Sequence, residues 1–452
     1  MLLDKYSQRV SLRYIQGLPF KIADDRTFKD LYGYKENKNF KFGEASLNGI
    51  ISDIKYTGSL MYSENVSFPY LQMDEIKSVV YNSSISYHDY KLYFNYTDHL
   101  MNNNLRISNM FMETDAKNLT VGFVSDFAEV YYRNWNAQNK MNMINGTMPI
   151  TNHMLPDINL YSANLFKKLD LYGFDLSGKI GFSYFNIEDK GVVDFYKPIH
   201  SGANNNRVFP LIGISLSKSE QLGNTLSLNG MIDFASEAPE AEALFINVKR
   251  MMGKPYWSGN PNLSQPFRST LRTNLTLSNI SLDLYGSYIL NYVYLTSVQV
   301  GMQKYQTYGN VNALILGFNL QFNYKFASSK ISYTYGENRS NNQPLIEILP
   351  LHVSNSINFP RIYGIGFSIK HTYENAQKRT DKTLLEYSSG AWNRIDFGMT
   401  YNTNGFSISM DAENILNHNY SKHLSYVRDP FASGMRVIEP GLSYRINFRY
   451  NY

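Results

Sequence analysis

Along most of this chain apolar and polar residues alternate one for one, in stretches of about ten residues. Phe174, Leu176, Ile180, Phe182 and Tyr184 are interleaved with Asp175, Ser177, Lys179 and Ser183. Phe318, Leu320, Phe322, Tyr324 and Phe326 are interleaved with Asn319, Gln321, Asn323 and Lys325, and Ile395, Phe397, Met399 and Tyr401 with Arg394, Asp396 and Thr400. Successive side chains of a strand point to opposite sides, so each stretch predicts a strand with one apolar and one polar face. About ten residues of tilted strand cross a bilayer. Roughly eighteen such segments can be counted, and no amphipathic helix.

The connections alternate as well. Short turns fall near His88–Asp89, Lys168–Tyr172, Leu222–Thr225, Ser278–Asn279, Ala327–Ser329 and Asn402–Gly405. Between them lie long polar stretches: Trp135–Asp157, Glu188–Asn206, Ser236–Pro266, Glu337–His352, Thr372–Gly390 and Glu413–Pro440. A soluble β-sandwich has short loops at both ends, and an open twisted sheet rarely holds so many strands. The pattern therefore predicts an all-β chain forming a large antiparallel transmembrane β-barrel, with aromatics facing lipid and polar side chains lining a wet lumen.

Composition narrows the picture further. The 452 residues include no cysteine, which excludes disulfides and thiolate metal sites. Tyrosine (37) far outnumbers tryptophan (3), as suits strands. Mean hydropathy is -0.35, and no apolar run reaches the roughly 20 residues of a membrane helix. A net charge of +5 without a basic block gives no support for a nucleic-acid partner. The start, Met1 to Tyr6, has no charged-then-apolar secretion signal, which an outer-membrane protein requires. The expectation is an N-terminally truncated chain.

Several segments are similar to TonB-dependent outer-membrane receptors. Ala412-Glu413-Asn414-Ile415-Leu416-Asn417-His418-Asn419-Tyr420 resembles that family's Asn-Leu-Phe-Asn-Lys-x-Tyr segment. It is followed by Gly434-Met435-Arg436-Val437-Ile438-Glu439-Pro440-Gly441 and by an aromatic terminal strand, Tyr444–Tyr452, with Leu442 where the family has Arg. Trp257–Leu263 resembles the Gly-Asn-Pro segment, and Pro344–Leu351 the Pro-Leu-x-x-Ile-Pro-Pro segment. More loosely, Asp98–Asn103 and Trp135–Asp157 resemble the copper branch of these receptors.

The resemblance implies that residues 1–452 are the barrel domain, with about 18 of an expected 22 or so strands, and that the N-terminal plug domain is absent from this chain. A receptor split over two chains is the alternative. It also implies a Gram-negative outer membrane with its lipid and lipopolysaccharide, a TonB complex engaged through the missing plug, and import of a scarce small solute. A metal or metal complex is expected as that solute, copper foremost, with a siderophore as the alternative. A passive porin remains a rival, as does a soluble β-rich binding module.

Candidate chemistry concentrates in one stretch. Met141, Met143, Met148, His153 and Met154 lie close together on an expected external loop. Thioether sulfur favours Cu(I) and imidazole binds copper in either redox state. The alternative is that these methionines fill irregular contacts. His99 and Met101, with Met110 and Met112, add donors if their segments converge. No resident cofactor is expected. Neither a Gly-x-Ser-x-Gly turn nor a His-Glu-x-x-His pattern occurs, so no enzyme is expected. His371, His418 and His423 read as polar loop or rim residues, and Arg272, Arg394, Arg445 and Arg449 as lumen-facing cations paired with acidic side chains.

Overall fold

The computed structural model describes residues 6–68, 73–143, 149–188, 190–223, 225–250, 253–384, 386–403, 405–425 and 436–450. The first half of the wall comprises β1 (Tyr6–Gly17), β2 (Phe40–Ile51), β3 (Ile54–Phe68), β4 (Met73–Tyr87), β5 (Tyr90–Asn102), β6 (Met110–Val124), β7 (Ala128–Met143), β8 (Ile150–Leu171), β9 (Phe174–Ile187), β10 (Asn206–Leu222) and β11 (Leu226–Ser236). A long connection holds α2 (Ala241–Phe245), β12 (Asn247–Val248) and β13 (Tyr256–Ser258); another five-residue helix, α1 (Phe28–Tyr32), lies between β1 and β2. The wall resumes with β14 (Phe267–Leu277), β15 (Ile280–Val300), β16 (Gln303–Tyr324) and β17 (Ala327–Asn338), and after the short β18 (Gln343–Pro344) with β19 (His352–Asn358), β20 (Ile365–Glu374), β21 (Trp392–Thr403), β22 (Phe406–Glu413) and β23 (Ser443–Tyr450).

Leaving out β12, β13 and β18, twenty of the 23 described strands form one antiparallel meander. That is two more than the pattern predicts. β19 and β22, with 7 and 8 residues, fall short of the spanning template of about ten. The alternation sets the faces as expected. Leu92, Val121, Val130, Leu165, Ile180, Leu271 and Phe397 are exposed on the outside, while inward positions are largely polar. Three of the four expected arginine pairs form there: Arg272–Asp283 at 2.7 Å, Arg394–Asp396 at 2.8 Å and Arg445–Glu413 at 3.5 Å.

The first and last strands meet through their loops rather than through a ladder. Among the described residues β1 pairs only with β2, and β23 only with β22. At the rim, Gly441 N–H donates to the Lys21 carbonyl (2.8 Å), Ala23 N–H to Asn419 Oδ1 (3.0 Å) and Ile438 N–H to the Tyr32 hydroxyl (2.9 Å). The sheet is thereby curled until its two edges are neighbours.

The expected loop over Trp135–Asp157 is corrected by the structure. β7 runs on to Met143 and β8 begins at Ile150, so most of that stretch is strand standing proud of the wall. Its polarity misled because a strand that runs beyond the apolar outer band of the sheet need not present an apolar face. The turns expected at Lys168–Tyr172 and Ala327–Ser329 also shift, to Tyr172–Gly173 and Lys325–Phe326.

The largest apolar core lies inside the mouth. Residues 237–250 and 253–266, between β11 and β14, turn inward as a strap. Ala241, Ala243, Leu244 and Phe245 of α2 bury against Ile158 and Leu160 of β8, Phe185 and Ile187 of β9, and Phe209 of β10. β13 then adds a short parallel ladder to β16, Tyr256 opposite Tyr305 and Trp257 opposite Gln306. Arg207 holds the far end, donating to the carbonyls of Pro261 and Leu263. Gly259 is obligatory at the crossing, since a Cβ there would stand 2.5 Å from the Leu244 backbone.

Candidate functional site

Strand register, rather than a flexible loop, decides where the candidate donors go. β6 and β7 are joined by a tight turn in which Ser125 N–H donates to the Ala128 carbonyl. From that turn the ladder runs unbroken to the long-loop end, where Met112 stands opposite Met141 and Met110 opposite Met143. Directly opposed residues bring their Cβ atoms to about 5 Å. All four share the inward face, because Val121 and Val130, of the other parity, are exposed outside. On β5, Met101 is opposite Thr114 and His99 opposite Ala116, which extends the same face sideways.

A bulge separates His153 from this face. Gln138 pairs with His153 but Ala137 pairs with Leu155, leaving Met154 as the extra residue of β8. His153 therefore sits with Gln138 on the outward side and is exposed, while Met154 packs inward. Met148, like Gly434 and Met435 of the terminal motif, lies outside the described residues. Of the expected set the structure thus gathers Met141, Met143 and Met154, brings Met101 onto the same wall, and turns His153 away.

The gathered methionines are covered. Met141 is 4% exposed, in a cluster with Ile246, Val248 and Trp257 of the strap; Met112, Met154 and Tyr308 pack against it. Asn152, two residues past the start of β8, fixes the strap tip. Its Oδ1 accepts from Lys249 N–H (2.9 Å) and its Nδ2 donates to the Lys249 carbonyl (3.1 Å). His99 is engaged elsewhere, with Nδ1 3.4 Å from the Glu75 carboxylate. Among the described residues no three His, Asp or Glu side chains are arranged to hold a metal ion, so the donors on offer are soft thioethers.

The neighbouring long connections hold a polar counterpart that sequence reasoning missed. His423, read as a rim residue, is fully buried, with Nε2 3.2 Å from Glu386 Oε1 and Nδ1 3.1 Å from Ser389 Oγ. Glu374 accepts from His423 N–H and Trp392 Nε1–H, each at 3.1 Å, and the Tyr294 hydroxyl donates to Asp381 (3.1 Å). Ser389, His423 and Glu386 form a chain of the kind hydrolases use, yet all three are buried, so no substrate reaches the serine. Their work is to bind three loops together. A third tie, Tyr34–Asp74–Arg106, is equally buried; Arg106 lies 4.3 Å over the Tyr34 ring, and burial holds that phenol well above its usual range. A cavity of about 490 Å³ beside the rim is lined by Asp24, Trp392, Asn393, His418 and Tyr420. Its Asn417 and Asn419 amides are already used to join the two ends of the sheet.

No protein-family model and no curated protein matches the chain. Solved structures do. A copper transporter, OprC, superposes with a TM-score of 0.75 at 14% identity, over 99% of this chain and 78% of that one. The chain has the barrel fold of the TonB-dependent receptors. Others of that fold include the ferric enterobactin receptor PfeA from Pseudomonas aeruginosa (TM-score 0.59, 12% identity, 98% of this chain and 81% of that one). The siderophore receptor PirA from Acinetobacter baumannii gives a TM-score of 0.59 at 11% identity, over 98% of this chain and 80% of that one.

Proposed function

We propose that this barrel belongs to an outer-membrane active-transport receptor of a Gram-negative bacterium. It takes up a scarce metal or metal complex at the long-loop mouth and passes it through the lumen with energy transmitted by TonB. In this reading residues 1–452 are the barrel domain, lipid and lipopolysaccharide surround its apolar face, and a plug that engages TonB stands within its lumen. The barrel wall contains no energy source of its own. Copper is the favoured cargo. The observation that carries this choice is the inward face of Met101, Met110, Met112, Met141 and Met143 at the mouth, whose soft sulfurs match Cu(I). OprC, a copper transporter by name, shares the fold. His99 stands beside Met101 on that wall, whereas His153 is outward and less apt as a ligand.

An iron-siderophore cargo is the second reading, supported by the names of PfeA and PirA and by the Arg133 guanidinium stacked 4.3 Å over Trp135 on the inner wall. The test is metal accumulation by the host under copper and iron limitation, with and without the gene. Loss of copper accumulation, restored by the gene and abolished by an uncoupler, is expected. Loss of siderophore iron instead would move the cargo to the second reading. Uptake that survives the uncoupler would mark a passive porin and overturn the proposal.

A further inference from the structure

The cavity beside the rim has a lining that cargo uptake leaves unused. It spans the two ends of the sheet, between the segment after β1 (Ala23, Asp24), the start of β21 (Trp392, Asn393) and the loop after β22 (His418, Asn419). Asn393 stands opposite Tyr373 and shares the parity of the exposed Phe397, so the cavity reaches the outer side of the long-loop end. Its scaffold is preset. Asn417 is fully engaged, its Nδ2 donating to the Ala23 carbonyl (3.1 Å) and its Oδ1 accepting from Leu442 N–H (2.9 Å). Asn414, 1% exposed, holds the His418 backbone at both its carbonyl (2.9 Å) and its N–H (3.1 Å). Tyr420 is stacked at 4.5 Å on Trp392, and its hydroxyl accepts from Arg394 (3.1 Å).

What remains free selects a ligand. Among the described residues the Asn393 amide and the His418 imidazole make no hydrogen bond, and Asn419 spends only its Oδ1, on Ala23 N–H. An amide and an imidazole offer both donor and acceptor, which is what a hydroxyl requires. The charge at the cavity is already spent, because Asp24 carries Arg26 at 2.7 Å. An anion would face that carboxylate, and a cation would have to displace Arg26. The aromatic pair adds a surface for apolar C–H groups. Neutral rings that carry hydroxyls at their edges and C–H groups on their faces are sugars. A volume of about 490 Å³ exceeds a single sugar ring and admits a short chain.

We infer that this cavity is a binding site for a neutral sugar chain, hydrogen-bonded by Asn393, His418 and Asn419 and supported by Trp392 and Tyr420. It is separate from the methionine face and independent of the cargo. Its walls come from both ends of the sheet, so a bound sugar ties those ends together and stabilises their junction. A sugar in solution and the sugar chains of a surrounding glycolipid offer the same chemistry.

The test is saturation-transfer NMR on the full chain, purified in a detergent without a sugar headgroup. The probes are maltose, lactose and sucrose, and the sugar chains released by mild acid from the host's lipopolysaccharide. Saturable transfer is expected, with a Kd on the order of 1 mM. Tighter binding of the released chains assigns the site to the membrane's own sugars, and tighter binding of a disaccharide to a sugar in solution. Asn393→Ala and His418→Ala each remove an unpartnered side chain and should weaken binding about tenfold, with heat-modifiable gel mobility unchanged. The bound probe should raise the temperature at which folded mobility is lost in the wild type and not in the double variant. Galacturonate should bind more weakly than galactose, because it meets Asp24. Absence of transfer to every probe, affinity unchanged in both variants, or tighter binding of galacturonate would overturn the inference.

Discussion

The two sides of the barrel mouth are fastened by different physics. On the strap side, α2 and its partners form an apolar core in which Ile158, Ile187, Leu244, Phe245 and Leu263 are fully buried. On the neighbouring side the loops around 338–352, 374–392 and 413–425 meet through buried polar groups, with His423 at the centre. Apolar contact is non-directional and tolerates sliding. A buried hydrogen-bond network holds one arrangement and resists any other, because each orphaned group costs its desolvation. The two anchors should therefore fail separately, the strap by a cavity and the His423 side by an orphaned polar group.

The largest effect should come from emptying the apolar side. Phe245→Ala removes a fully buried ring and should cost about 4 kcal/mol of strap stability, read as rapid hydrogen exchange over 237–266 with the wall still protected. Protection of both sides lost together would merge them into one unit and break the comparison. Next, His423→Leu leaves Glu386 and Ser389 without their shared partner, at about 2–3 kcal/mol. Proteolytic cutting should then appear in 374–392 and leave the strap intact.

A smaller effect is expected where Asn152 grips Lys249. Asn152→Ala removes two hydrogen bonds, about 1–2 kcal/mol, and should raise exchange only around Lys249. A last effect is graded by pH. Burial lowers the His200 pKa to about 4, with Nε2 2.9 Å from Thr307 Oγ1. An exposed imidazole in the opened loop titrates near 6.5, so the open form takes up protons first. The contribution of His200 is therefore present above pH 6.5 and lost as pH falls from there toward 4. Loop 188–206 should open over that window in hydrogen exchange, and His200→Gln should flatten the response; an unchanged profile in that variant would place the titrating group elsewhere.

Much of the wall was legible in the chain itself. Alternation is a local property, so a segment such as Phe318–Phe326 declares its two faces without reference to any neighbour. The turns at His88–Asp89 and Ser278–Asn279 were legible too, and His88 and Ser278 adopt positive φ at the hairpin tips. Strands without an apolar outer face were harder. The far parts of β7 and β8 read as loop, since their residues show no apolar alternation.

The candidate site divides in the same way. Sequence spacing alone established that methionines cluster and that no cysteine accompanies them. Which sulfurs meet depended on register: Met110 and Met112 are some thirty residues from their partners and reach them only because β6 pairs β7 without a slip. One bulge in β8 decided that Met154 faces inward and His153 does not. The burial of Trp257 and His423 had no sequence signal, because each is enclosed by segments that are remote along the chain. Alternation fixes the face of each residue through its own backbone, whereas the company a side chain keeps is set by register, bulges and long connections, which only the closed structure decides.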